Sequence, residues 1–414
     1  MHFRLTSATE SGGPQPGESV LPHHAVLRSS HGTATPTAAV ADPAQPFAGV
    51  MHVYPGNRYG GIERYLATMA RHPEFAGQTY ALFSRGRLFD ELKAAGADVV
   101  DLGPYRTRYP WQAVALRRRL RAALDARRVH NVVTHMSLSH ALAAPVVGDR
   151  TLVYFAHEGH LGTHWTERWA RISRRPDVVL ANSDFSAQRV GRVFPGVQPA
   201  VVYCPVEVDT TVRPGERDAI RRELGTRSEQ RVILTTARFA PYKGHATLIE
   251  ALGLLRSRSD WTAWIAGGAQ VAEEAQFEAL VRARAAALGL DDRIRWLGER
   301  RDVPRLLRAA DLHCQPNLTA EHFGICFVEA LFAGLPVVTT AIGGALEILT
   351  PELGELVPPD DPASLAEALV RTLSNPEKML SARNLGPARA RELCAPEAFA
   401  LRVRQAFTHA PRAH

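Results

Sequence analysis

A-G-V-M-H-V-Y at 48 to 54 runs through P-G-N-R-Y-G-G at 55 to 61 into I-E-R-Y-L at 62 to 66. A short apolar run stops at a cluster of Pro, Asn and Gly, and apolar residues then resume at helical spacing, which reads as strand, tight turn and amphipathic helix. The unit recurs along the chain. Strands are expected at T-Y-A-L-F-S (79 to 84), A-D-V-V-D-L (97 to 102), N-V-V-T-H (131 to 135), T-L-V-Y-F-A-H (151 to 157) and D-V-V-L-A-N-S (177 to 183), with helix-length stretches between them. Strands alternating with helices build a parallel sheet covered on both faces. The rhythm lapses at V-E-V-D-T-T-V-R-P-G-E (206 to 216) and then restarts with R-V-I-L-T-T-A (231 to 237), W-T-A-W-I-A (261 to 266), R-I-R-W-L (293 to 297), D-L-H-C-Q-P (311 to 316) and P-V-V-T-T (336 to 340). The expected fold class is therefore α/β, two Rossmann-like doubly wound domains in tandem, with a ligand cleft between the carboxyl ends of their strands. The expected boundaries are a tail at 1–46, an N-terminal domain at 47–208, a C-terminal domain at 209–390 and a terminal helix at 391–414 that packs back on the first domain.

The bulk composition agrees with this division. A chain of 414 residues exceeds one ordinary core and fits two domains plus tails. The first 46 residues are rich in Gly, Pro, Ser, Thr and Ala, too poor in periodic apolar content to order themselves. The formal charge of +7 is carried by arginine, since the only lysines are Lys93, Lys243 and Lys378. Basic clusters stand at Arg117, Arg118, Arg119, Arg121, Arg127 and Arg128, and at Arg168, Arg171, Arg174 and Arg175. They suit either a solvated helix face or contact with an anionic membrane, and both readings stay open. Nucleic acid is not an expected partner. The cysteines Cys204, Cys314, Cys326 and Cys394 form no C-x-x-C pair, so neither a zinc site nor a disulfide framework is indicated. With no run of 18 apolar residues and no secretory leader pattern, the expected location is the cytoplasm, extending to the inner face of the membrane if the basic clusters dock there.

Several segments carry residues suited to chemistry. Gly60 and Gly61 precede a helix, where free N–H groups and close backbone approach favour a phosphate, although a tight turn needs glycine for structural reasons too. His157, Glu158 and His160 close the strand T-L-V-Y-F-A, with His164 a turn later. The spacing H-E-G-H is not the H-E-x-x-H of a helical zinc site, so metal binding is not expected, yet His157 should point into the ligand crevice. In R-F-A-P-Y-K-G-H, Arg238 and Lys243 suit a diphosphate, the first as a fork and the second as a point charge. A chain that otherwise uses Arg has used Lys at 243. A-G-G at 266 to 268 is a further point of close backbone approach. E-H-F-G-I-C-F-V-E sets Glu321 and Glu329 among apolar neighbours, where burial of a carboxylate is costly without a partner, and Gly324 opens the helix between them.

Taken together these segments resemble the retaining GT-B glycosyltransferases of family 4 (glycosyl transferases group 1), in which an E-x7-E motif sits in the donor-binding domain. The resemblance runs from about Phe47 and includes G-G-I-E-R-Y, A-H-E-G-H, A-N-S-D-F-S (181 to 186), A-R-F-A-P-Y-K-G-H, E-H-F-G-I-C-F-V-E-A-L-F-A-G-L-P-V-V and A-I-G-G-A-L-E-I (341 to 348). It implies that Arg238 and Lys243 hold the donor diphosphate, approached by Gly60 and Gly61 from the opposite domain. Glu321 would lie by the donor sugar's hydroxyls, with the peptide groups of Phe323, Gly324 and Ile325 on sugar and phosphate. Glu329 would bind the ribose, whose vicinal diol suits two acceptor oxygens. His157 would stand near the sugar's hydroxymethyl group and anomeric carbon. His322 departs from the residue many members carry.

The implied reaction moves a sugar, with retention and without a metal or cofactor, from a UDP- or GDP-sugar to a glycan, lipid-linked or small-molecule acceptor, as in polysaccharide or glycoconjugate biosynthesis. No D-x-D-like metal motif occurs at the expected site. Two alternatives differ in class. A catalytically silent sugar-nucleotide or glycan-binding protein could share the fold. A nicotinamide-dependent oxidoreductase would also use tandem α/β domains, but the G-x-G-x-x-G fingerprint is missing.

Overall fold

A computed structural model describes residues 47–56, 59–106, 109–157, 165–211 and 213–409. The expected tail at 1–46 lies outside the described residues, as do Glu158, His160 and His164. Two wholly parallel sheets organise the chain. The first contains β1 (Val50–Tyr54), β2 (Thr79–Leu82), β3 (Asp98–Asp101), β4 (Asn131–His135), β5 (Thr151–Ala156), β6 (Val178–Ala181) and β7 (Ala200–Val201), in the order β3-β2-β1-β4-β5-β6-β7. The second contains β8 (Arg231–Thr236), β9 (Trp261–Ala266), β10 (Ile294–Gly298), β11 (Leu312–Gln315), β12 (Val337–Thr340) and β13 (Gly354–Val357), in the order β10-β9-β8-β11-β12-β13. Central strands such as V-M-H-V-Y and W-T-A-W-I-A are buried along their whole length, because helices cover both faces. The two sheets and their flanking helices are the α/β fold class that the strand rhythm predicts.

Two strands escape the sequence reading, and both are sheet edges. β7 is two residues long, too short to show a period. β13 opens on Gly354 and carries Glu355, whose carboxylate turns outward to Lys378 (3.2 Å) and Arg371 (2.8 Å), so it lacks the apolar run of a central strand.

In each sheet the strand order reverses once, between β1 and β4 and between β8 and β11, which opens a crevice beyond the carboxyl ends of those strands. The loops leaving β1, β8 and β11 are those that carry Gly60 and Gly61, Arg238 and Lys243, and Glu321. The last helix, Pro396–His409, returns to the first sheet: Phe399, Ala400 and Val403 share a core with Tyr65, Phe75, Val153 and Phe155.

Most of the basic residues serve the first half's own architecture. Arg117 donates to the carbonyls of Ala141 and Leu142, Arg119 to Leu102 and Arg121 to Val146, while Arg127 pairs with Asp98. Arg174 pairs with Asp177, and Arg171 and Arg175 donate to the carbonyls of Arg192 and Pro195. Arg118 and Arg168 are exposed, on helices that also expose Trp111, Val114 and Ile172.

Candidate functional site

The two crevices face one another across a cleft of about 710 Å³, lined from the first half by Gly60, Gly61, Glu63, Arg64, His157 and Asn182 and from the second by Arg238, Lys243, Gly267, the segment 321–326 and Glu329. That volume lies within the ordinary range of small-molecule sites, roughly 300–1,000 Å³.

The first half contributes a helix start. Helix Gly61–Arg71 is the next element after β1, and Glu63 folds back so that its carboxylate accepts the Gly60 N–H (2.8 Å) and the Tyr54 hydroxyl (2.5 Å). This capping arrangement holds the glycine turn rigid. Burial raises the Glu63 pKa in spite of both bonds. A Cβ at Gly61 would stand 3.5 Å from Ile325 Cδ1, in ordinary van der Waals contact, so the two halves meet at this helix start.

The second half supplies the charges. Lys243 is ion-paired with Glu321. Burial opposes the charge on each, yet the pairing prevails: the Lys243 pKa is raised and that of Glu321 lowered, so both stay ionised. Arg238 is engaged by Glu274 and the Tyr242 hydroxyl. Each cation thus already stands beside an oxygen acceptor.

Glu329 lies on helix Ile325–Phe332 and is buried. Its Oε1 meets Arg64 from the opposite half, and its Oε2 has no hydrogen-bond partner among the described residues. Burial pushes its pKa up, and Arg64 only partly offsets this. A buried carboxylate oxygen without a donor is energetically costly, and a ligand hydroxyl would relieve it.

Three separated motifs meet at the loop 321–324. The Gly344 N–H donates to the Glu321 carbonyl (2.9 Å), and a Cβ at Gly343 or Gly344 would collide with Glu321 or Phe323, so A-I-G-G requires both glycines. The Ser183 hydroxyl donates to the His322 carbonyl. Glu347 reaches from the second half to accept the N–H groups of Asp184 (2.8 Å) and Phe185 (2.9 Å), joining A-L-E-I to A-N-S-D-F-S. Phe323 is buried against Tyr203, and Gly324 takes a φ of +111°, a conformation that favours glycine, as it opens the helix. The helix start leaves N–H groups at 324 to 326 without intrahelical partners.

His157 stands at the carboxyl end of β5, buried, with its Nε2 2.9 Å from His135 Nδ1 and its Nδ1 4.0 Å from Cys204 Sγ. Burial, with smaller contributions from His322 and His52, lowers its pKa to about 3, so it is neutral at physiological pH. All ten residues singled out from the sequence thus line this cleft: Gly60, Gly61, His157, Arg238, Lys243, Glu321, Phe323, Gly324, Ile325 and Glu329. Sequence reasoning missed Arg64 and Glu274, the partners of Glu329 and Arg238, and also His135. The motif G-G-I-E-R-Y contains Arg64, but only the packing of the halves pairs it with a residue 265 positions away.

Residues 59–210 match the family model described as Glycosyltransferase Family 4, and residues 216–389 the model described as Glycosyl transferases group 1. The chain belongs to glycosyltransferase family 4. Among curated relatives, it is 30% identical over 219 residues to the GDP-mannose-dependent monoacylated alpha-(1-6)-phosphatidylinositol monomannoside mannosyltransferase of Corynebacterium glutamicum, covering 50% of this chain and 55% of that protein. It is 39% identical over 139 residues to the phosphatidyl-myo-inositol mannosyltransferase of Mycobacterium leprae, covering 33% of this chain and 35% of that one. The alignments therefore span about half or less of these relatives. Among solved structures, Anabaena HepE in complex with UDP and glucose superposes with a TM-score of 0.78 at 22% identity, covering 87% of this chain and 100% of HepE. The two-domain fold is GT-B.

Proposed function

We propose that this family member is a glycosyltransferase that moves a sugar from a nucleoside-diphosphate sugar to a hydroxyl acceptor, with retention of configuration and without a metal. The observation that carries the reading is the Glu329 oxygen without a hydrogen-bond partner among the described residues, in the same cleft as the Lys243–Glu321 pair. On this reading the ribose diol satisfies Glu329, the diphosphate takes over Lys243 and Arg238, and the N–H groups at Gly324 and Ile325 and the turn at Gly60 and Gly61 complete the anion site. Glu321 and His157 contact the sugar. The departing diphosphate is stabilised by charges and helix dipoles held in advance, so no metal is needed for that task. The leaving group departs from the face at which the acceptor arrives, and closure of the halves excludes water. The relatives' names favour GDP-mannose as donor and a lipid-linked inositol acceptor, while the UDP bound to HepE keeps UDP-sugars in contention.

A donor panel of GDP-mannose, UDP-glucose and UDP-N-acetylglucosamine, read by nucleoside diphosphate release, tests the reading. One donor is expected to be turned over, faster with acceptor present. Binding without release would identify a silent sugar-nucleotide-binding protein, and turnover of a nicotinamide cofactor alone would identify an oxidoreductase.

No helix among the described residues is long and apolar enough to cross a membrane. For the acceptor side we propose peripheral contact with an anionic bilayer through the exposed Trp111, Val114 and Arg118 of helix Pro110–Ala126 and Arg168 and Ile172 of helix Trp165–Ile172. Trp111, Val114 and Arg118 follow at i, i+3 and i+7 and so share one helix face. Flotation with anionic vesicles is expected to recruit the protein at low salt and release it at high salt, and no binding at low salt would remove the proposal.

A further inference from the structure

His157 is the outer end of a buried chain of imidazoles. His157 Nε2 lies 2.9 Å from His135 Nδ1, His135 Nε2 lies 2.9 Å from His52 Nδ1, and His52 Nε2 lies 3.1 Å from the Gln78 side-chain oxygen, which also accepts from the Tyr80 hydroxyl at 3.2 Å. The sheet register builds this staircase. His52 pairs with Val133 and His135 stands two residues further along β4; His135 in turn pairs with Phe155 and His157 stands two residues beyond it. Side chains two apart share a sheet face, so each step crosses one strand and climbs toward the cleft. Gln78 immediately precedes β2, whose Thr79 pairs with Met51. Gln78 and all three histidines are buried.

We propose that Gln78, His52 and His135 are positioning residues that lock His157 in its Nε2–H tautomer, leaving the Nδ1 lone pair, on the side of Cys204, to accept a hydroxyl hydrogen of the donor sugar. The sugar part of this statement rests on the glycosyltransferase reading given above. The lock follows from counting protons. Each neutral imidazole has one N–H donor and one acceptor nitrogen, so one end of the chain sets the direction of every member. Gln78 supplies its oxygen at the inner end, where it takes the Tyr80 hydroxyl and the His52 Nε2–H. His52 Nδ1 then accepts from His135 Nε2–H, and His135 Nδ1 accepts from His157 Nε2–H. At the outer end burial keeps the Cys204 thiol protonated, a weak donor 4.0 Å from Nδ1 that a sugar hydroxyl would displace from the single lone pair. The reverse direction needs a flipped Gln78 amide and asks that thiol to accept an imidazole N–H. An amide terminus neither takes up nor releases a proton, so the chain holds His157 in place and does not conduct protons. Burial keeps His52 and His157 neutral, with pKa values lowered to about 4 and about 3, and holds that of His135 well down as well.

The tautomer can be read without turnover, from the nitrogen–proton couplings of the full-length protein labelled with 15N-histidine. Wild type should show His157 as a neutral Nε2–H species. Gln78→Leu removes the terminal acceptor and should give mixed tautomers at His157, with kcat for the preferred donor down about tenfold, the loss of one well-formed hydrogen bond, and KM within about twofold. His135→Gln, which still offers one oxygen and one N–H, should keep the Nε2–H form and near-normal kcat, whereas His135→Leu should lose both. A Nδ1–H or charged His157 in wild type would overturn the proposal, as would Gln78→Leu that leaves both tautomer and kcat unchanged or that lowers kcat without altering the tautomer. Inactivity of wild type on every donor would instead overturn the functional reading, since the spectra assign the tautomer independently.

Discussion

Lys243→Ala is expected to lower kcat for donor turnover by roughly two to three orders of magnitude, the range seen when one preorganised stabiliser of a developing anion is removed. Two effects act together. The departing diphosphate loses its compact positive charge, and Glu321 loses the partner that holds its pKa down against burial. Without Lys243 the burial contribution prevails and the Glu321 carboxyl moves up, so the variant's residual activity should shift toward higher pH. Lys243→Arg restores charge but not shape and should recover only part of the rate, because the Lys243 ammonium is confined between Glu321 and Tyr242. Glu329→Ala should act differently. It removes the proposed ribose acceptor and strands the Arg64 guanidinium, raising KM for the donor more than it lowers kcat. Nucleoside diphosphate affinity by calorimetry and turnover by nucleotide release check both variants, and unchanged transfer in both would remove the site assignment.

The contrast between these variants parallels what the sequence does and does not disclose. The tandem doubly wound fold is legible because parallel strands covered on both faces are written as continuous apolar runs, V-I-L-T-T or T-L-V-Y-F-A, bounded by turn residues. β7 and β13 are not legible, one for its two-residue length and one because Glu355 serves ion pairs outside the sheet. Candidate site residues were legible where chemistry and local context conflict, as with Glu321 and Glu329 set among apolar neighbours. Their partners were not: Arg64 and Glu274 look like ordinary helix charges, and only the meeting of distant segments gives each a carboxylate or guanidinium to face. The same limit hides the imidazole chain. V-M-H-V-Y displays a histidine at mid-strand, N-V-V-T-H at the strand's last residue and T-L-V-Y-F-A-H just past its strand, and the common signal emerges only once the register aligns them in steps of two.

The buried histidines have a second consequence, and it is large. Between about pH 6.5 and 4 the protein is expected to lose its folded structure cooperatively, with a midpoint at about pH 5. Burial lowers the pKa of His52, His140 and His245 to about 4 and of His157 and His313 to about 3, and that of His135 is also well below the ordinary value of 6.5. The folded state therefore holds these rings neutral at a pH where the unfolded chain has protonated them. The unfolded state binds more protons, so stability rises with pH in this window; it is fully present above about 6.5 and is lost as pH falls toward the folded values. Each ring costs about 1.4 kcal/mol per pH unit once the unfolded form is charged. Six rings acting together would consume a typical stability of about 5–15 kcal/mol within one to two pH units. Circular dichroism and tryptophan fluorescence followed from pH 7.5 to 4 check this, and near-constant stability down to pH 5 would refute it. His245→Phe isolates one contributor. His245 opens helix His245–Leu254, where the dipole also disfavours a cation, and its ring stacks on Phe239 at 4.4 Å, a contact phenylalanine preserves. The variant should unfold at lower pH with a shallower dependence, because one proton fewer is taken up on unfolding.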